Sequence, residues 1–157
     1  MPFLVGYAGT PDPAFPISPP GLSYLHGKPA LRKDLAFATD FVQRLVARGV
    51  RVRAVNHSVY NGFFEDTHQA AHLTTPEGVV EVVFFPYDVA TQVKVTRSYD
   101  AEGGVYVFAV QRHPSDPEPT VIDSPCDMAV MMEGKLFILT DSEKLAKEVR
   151  QALHPGT

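Results

Sequence analysis

The sequence predicts an α+β fold: a curved antiparallel β-meander of about seven strands, with an N-terminal helix over 29–48 and a C-terminal helix over 142–153. Three observations carry that expectation. Apolar residues recur at helical spacing through 31–46, glycine-bearing turns punctuate a series of β-forming segments from residue 50 onward, and a capped amphipathic stripe closes the chain. At 157 residues and 45% hydrophobic residues, the chain suits a single domain, with residues 1–28 as a proline-rich arm and 29–157 as the globular core.

Phe3 to Tyr7 is a short strand candidate. Pro11, Pro13, Pro16, Pro19 and Pro20 then remove backbone donors and fix φ, so the segment is expected to be an extended arm. Its PxxP spacings lack the flanking basic residue that would orient a polyproline ligand.

In the first helix Leu31, Leu35, Ala38, Val42 and Leu45 form the buried stripe, Pro29 is suited to a first helical position, and Gly49 to a left-handed stop. Phe37, Phe41, Arg44 and Arg48 fall in one row beside that stripe. Phe41 is expected at the core edge and Phe37 largely exposed. Val50-Arg51-Val52-Arg53-Ala54-Val55 then alternates as a half-buried strand with its arginines outward.

Hairpins follow. Thr75-Pro76-Glu77-Gly78 reverses residues 68–74 into 79–85, Asp100 to Gly104 joins 92–98 to 105–111, and Glu133-Gly134 joins 128–132 to 135–140. Val105 to Val110 is apolar on both faces and is expected to be a central strand covered on each side. Thr140-Asp141-Ser142-Glu143 has the character of a capping box, and Leu145, Val149, Ala152 and Leu153 make the last stripe. From residue 50 onward, seven strands closed by a helix resemble, in topology alone, the architecture of pleckstrin-homology-type barrels.

Composition narrows the function classes. A net charge of −4 makes nucleic acid an unlikely partner, because phosphate binding needs a basic surface. No apolar run approaches the roughly 20 residues that cross a bilayer, so no membrane association is expected. The N-terminus lacks a basic leader segment and Cys126 is the only cysteine, which together point to the cytoplasm. Charge is split: residues 28–53 hold seven basic and two acidic residues, a balance of +5 against −9 elsewhere. That split fits either a partner surface or a solvated helix face.

No catalytic signature stands out. Cys126 lies between Asp123 and Asp127, which disfavour a thiolate, and there is no nucleophile elbow, dinucleotide fingerprint or P-loop. No cofactor is therefore expected. His68 and His72 have the spacing of two helical metal ligands, but a hairpin arm separates them by roughly 13 Å, so no metal site is expected either. Glu81 interrupts an apolar strand; it is expected to face water at a sheet edge, or to pair with Lys94 or Arg97, and would be a site candidate if covered.

Two function classes remain. The first is a small binding or assembly module, of adaptor, chaperone or immunity type, acting on a protein partner or as a homodimer through Phe37, Phe41, Arg44, Arg48, Arg51 and Arg53. The second is a small-molecule-binding protein or hydrolase-type enzyme with a pocket between the sheet and the first helix, drawing on His57, Tyr60, Phe64, Asp66, His72 and Glu81.

Overall fold

The computed structural model describes residues 22–25, 28–31, 33–60, 69–112 and 118–154; the proline-rich segment before residue 22, Phe64, Asp66 and His68 lie outside them. The fold is α+β, built from antiparallel sheets with a helix near the N-terminal side and another at the C-terminal end.

A two-stranded ribbon opens the described chain, β1 (Leu22–Leu25) against β2 (Lys28–Leu31). A 3-10 segment (Lys33–Ala38) leads into α1 (Thr39–Ala47). The helix expected over 29–48 is therefore shorter. Pro29 lies in β2, where its fixed φ suits an extended chain and a two-stranded ribbon leaves one edge that asks for no donor. The stripe itself holds: Leu35, Ala38, Phe41, Val42 and Leu45 are all buried.

Five strands form the main sheet: β3 (Ala54–His57), β4 (Gln69–Thr75), β5 (Gly78–Phe84), β9 (Ala129–Glu133) and β10 (Leu136–Thr140), in the order β3-β4-β5-β10-β9. After β5 a short helix, α2 (Val89–Gln92), turns the chain into a separate three-stranded sheet of β6 (Val93–Asp100), β7 (Val105–Arg112) and β8 (Thr120–Ser124). The hairpins occur where the sequence indicates, yet they do not make one continuous meander. β5 takes β10 as its second neighbour, so the likeness to a pleckstrin-homology-type barrel does not extend to the strand order.

The five-stranded sheet has two buried faces. Val55, Ala71, Leu73, Val80, Val82 and Ile138 pack against α1 and the C-terminal helix α3 (Glu143–Leu153). On the opposite face Ala70, Val83, Phe137 and Leu139 meet Phe108, Val110 and Ile122 of the three-stranded sheet. The expectation for Val105 to Val110 needs correction: Phe108 and Val110 are buried, whereas Val105, Val107 and Ala109 are only partly so, because nothing among the described residues covers the outer face of β7. Ser142 caps α3, its hydroxyl accepting from Leu145 N at 3.2 Å. No helix of the described residues is long and apolar enough to cross a membrane.

Candidate functional site

Hairpin register decides which polar residues meet. Thr75 and Gly78 close the β4–β5 hairpin as Cα partners, and three steps back along each strand places His72 opposite Glu81. Both point into the layer between the two sheets, since alternation puts them on the face of Ala70 and Val83. His72 Nδ1 lies 2.8 Å from Glu81 Oε2, with 5% and 0% of the two residues exposed. Tyr60 is buried in the same layer, where burial and then the negative charge of Glu81 push its phenol well above the ordinary value.

Glu81 therefore does not sit at a sheet edge or pair with Lys94 or Arg97. Its strand is central, between β4 and β10, while Lys94 and Arg97 belong to the other sheet. Its Oε1 has no hydrogen-bond partner among the described residues. A buried carboxylate demands compensation, and the His72 ring supplies it on one oxygen only. The group is enclosed, with Tyr60 3% exposed as well. The arrangement joins neighbouring strands through a buried side-chain contact and fixes the hairpin register.

Of the pocket residues expected from the sequence, Tyr60, His72 and Glu81 come together. His57 does not join them, because it pairs with Ala71 on the helix-facing side of the sheet. Phe64 and Asp66 lie outside the described residues. Between the sheet and α1 the space is filled by Leu35, Phe41, Val42, Leu45, Val55 and Leu73, so the pocket expected there is an apolar core. Among the described residues no three His, Cys, Asp or Glu side chains group as a metal site.

The expected interface row is largely occupied by the molecule itself. Phe37 is not largely exposed but half-buried, its ring 5.7 Å from that of Phe84, and Phe41 is buried in the core. Arg44 pairs with Asp40 at 3.0 Å and donates to the Ala152 carbonyl at 3.3 Å. Arg48 holds Glu148 at 2.9 Å and also donates to Gln151, so the row clamps α1 to α3. Arg51 is exposed and Arg53 half-buried.

Open space occurs instead where the two sheets part. A cleft of about 660 Å³ has Phe108, Met128, Val130 and Met132 as its apolar wall and Arg97, Asp127, Glu143 and Arg150 among its charged lining. Arg97 of β6 holds both carboxylate oxygens of Asp127 at 3.0 Å, which ties the second sheet to the start of β9. A second cleft of about 490 Å³ lies beside α3. Met132 and Arg150 line both, so the two meet at the outer edge of β9. Sequence reasoning did not unite these residues, because they come from β6, β7, the turn before β9, β9 and α3, and no local spacing links them. The His72–Glu81 contact, by contrast, follows from the two-residue turn at Pro76-Glu77 once register is counted. No family model matches the chain, and neither the curated proteins nor the solved structures searched contain a match.

Proposed function

We propose that the chain is a small binding module that acts through protein–protein contacts, and that its docking site is the cleft where the two sheets part. The observation that carries this reading is the contrast between two places in the molecule. The cluster of Tyr60, His72 and Glu81 is buried, whereas the cleft is open and combines an apolar wall of Phe108, Met128 and Met132 with charges of both signs. Methionines adapt to varied partner shapes, and an apolar centre ringed by charge is the usual anatomy of an interface. Phe37 and the arginine row lose weight as a docking surface, since Phe84, Asp40 and Glu148 engage them within the chain. The lone Cys126 favours a reducing compartment, and the cytoplasm is the proposed place of action.

Capture from a cell extract on immobilised full-length chain tests the site. Partner proteins are expected to be retained by wild type and by Arg51→Glu, and lost with Met132→Glu. Loss with Arg51→Glu and retention with Met132→Glu would move the site to the arginine row. Circular dichroism of each variant checks that the fold is intact.

A further inference from the structure

The five-stranded sheet ends on β9, whose one strand neighbour among the described residues is β10. In an antiparallel pair every second residue turns its N–H and C=O away from the partner, and no backbone hydrogen bond among the described residues fills that side of β9. Sheet edges are commonly guarded by lysine, proline or inward charge. β6 follows that rule with Lys94 and Arg97, but β9 reads Ala129-Val130-Met131-Met132-Glu133. Its one charged side chain is engaged by His154 at 2.8 Å.

This unguarded edge lies where the two clefts meet. The first takes Val130 and Met132 from the face toward the second sheet; the cleft beside α3 takes Met131 from the opposite face together with Leu153. An added strand alternates its side chains between those two sides, so each groove receives every second residue. The cleft beside α3 is also basic: Lys147 and Arg150 line it without an acidic residue and form no ion pair with a described residue, while His154 on its rim is held by Glu133.

We propose that β9 takes an extended segment of a partner protein as an additional strand, with apolar side chains in the two clefts and an aspartate or glutamate meeting Arg150 and Lys147. The proposal rests on reading the cleft as a docking site and adds the conformation and charge of what docks. A second copy of the chain is a poorer occupant, because pairing through its own β9 would bring a second Lys147 and Arg150 to the same groove.

The probe is a displayed library of random eight-residue peptides selected on the full-length chain. Enriched peptides are expected to alternate apolar residues and to carry at least one acidic residue. For a labelled peptide made from the selection, N-methylation of one alternate set of amides should weaken binding at least tenfold, and methylation of the other set should leave it unchanged. Arg150→Glu should also weaken binding at least tenfold, without change in the circular dichroism spectrum. No enrichment, a basic consensus, equal tolerance of both methylation patterns, or a homodimer that the peptide disrupts would each overturn strand addition. The two readings fail separately. If partner capture depends on Met132 while methylation has no effect, the cleft stands as a docking site and the added strand does not; if peptides pair through their backbone while capture ignores Met132, the reverse holds.

Discussion

Removing His72 strands a carboxylate in the molecular interior, since Glu81 is fully buried, His72 meets its Oε2, and its Oε1 has no hydrogen-bond partner among the described residues. Breaking such a pair from one side typically costs about 3–5 kcal/mol, because the remaining group keeps its desolvation penalty. His72→Leu should therefore be strongly destabilising in urea denaturation. The double variant His72→Leu with Glu81→Leu should recover most of that loss, as apolar side chains of similar volume replace a buried pair at little net cost. A double variant as unstable as the single one would mean that the pair contributes more to packing than its own compensation accounts for. At this scale the sequence was partly legible. Glu81 stands out as a carboxylate in a run of valines and phenylalanines, but its burial depends on β10, which is more than fifty residues away in the chain. The choice between a water-facing and a covered glutamate was therefore not available from local pattern. His72 was legible as a strand residue, and the hairpin turn places it opposite Glu81.

Turns and caps are the elements the sequence marks most plainly, and Gly78 explains why one of them admits so little variation. Its φ is +148°, and a Cβ at this position would stand 2.7 Å from Asp141 Oδ1. That oxygen accepts from Val79 N at 3.1 Å and so joins the β4–β5 turn to the entrance of α3. Gly78→Ala should lower stability by about 1–3 kcal/mol, the range for a side chain forced into glycine-only backbone space, with added loss from displacing Asp141. Gly49 is the control: its φ is +91°, but nothing lies within 4 Å of the added carbon, so Gly49→Ala carries the strain alone. Equal midpoints for the two variants in denaturant would remove the Asp141 clash from the account. The start of the first helix was less legible than its turns. Leu31 continues the apolar period of Leu35 and Ala38, yet it belongs to β2, where pairing with Leu22 competes with helix formation. Periodicity marks which side chains go inward and does not by itself separate a helical turn from a strand that enters it.

On the scale of the whole molecule the five-stranded sheet is a shared wall, with helices on one face and the second sheet on the other. The division of the strands into two sheets was not readable from the hairpins, because nothing local tells β5 to turn toward β10 and leave β6 to another sheet. The consequence is testable through Phe108, which is buried against Phe85, Val110 and Phe137 in the layer between the sheets. Truncation of a buried phenylalanine costs about 3–5 kcal/mol through lost transfer energy and the cavity left behind. That loss is a large part of the roughly 5–15 kcal/mol that holds a domain folded. Phe108→Ala should therefore shift the denaturation midpoint strongly. Because Val83 and Phe137 present one face of the sheet to Phe108 while Val82 and Ile138 present the other to α1, loosening of one layer removes support from both. Far-ultraviolet circular dichroism, weighted toward α1 and α3, should then move together with tyrosine emission, to which Tyr99 and Tyr106 in the second sheet contribute. If emission changes at lower denaturant than the dichroism, the three-stranded sheet opens by itself and the cleft is a seam between two separately stable layers. Coincident transitions at a lowered midpoint would establish that the wall couples them, and that the cleft beside β9 is held open by a scaffold that unfolds as one unit.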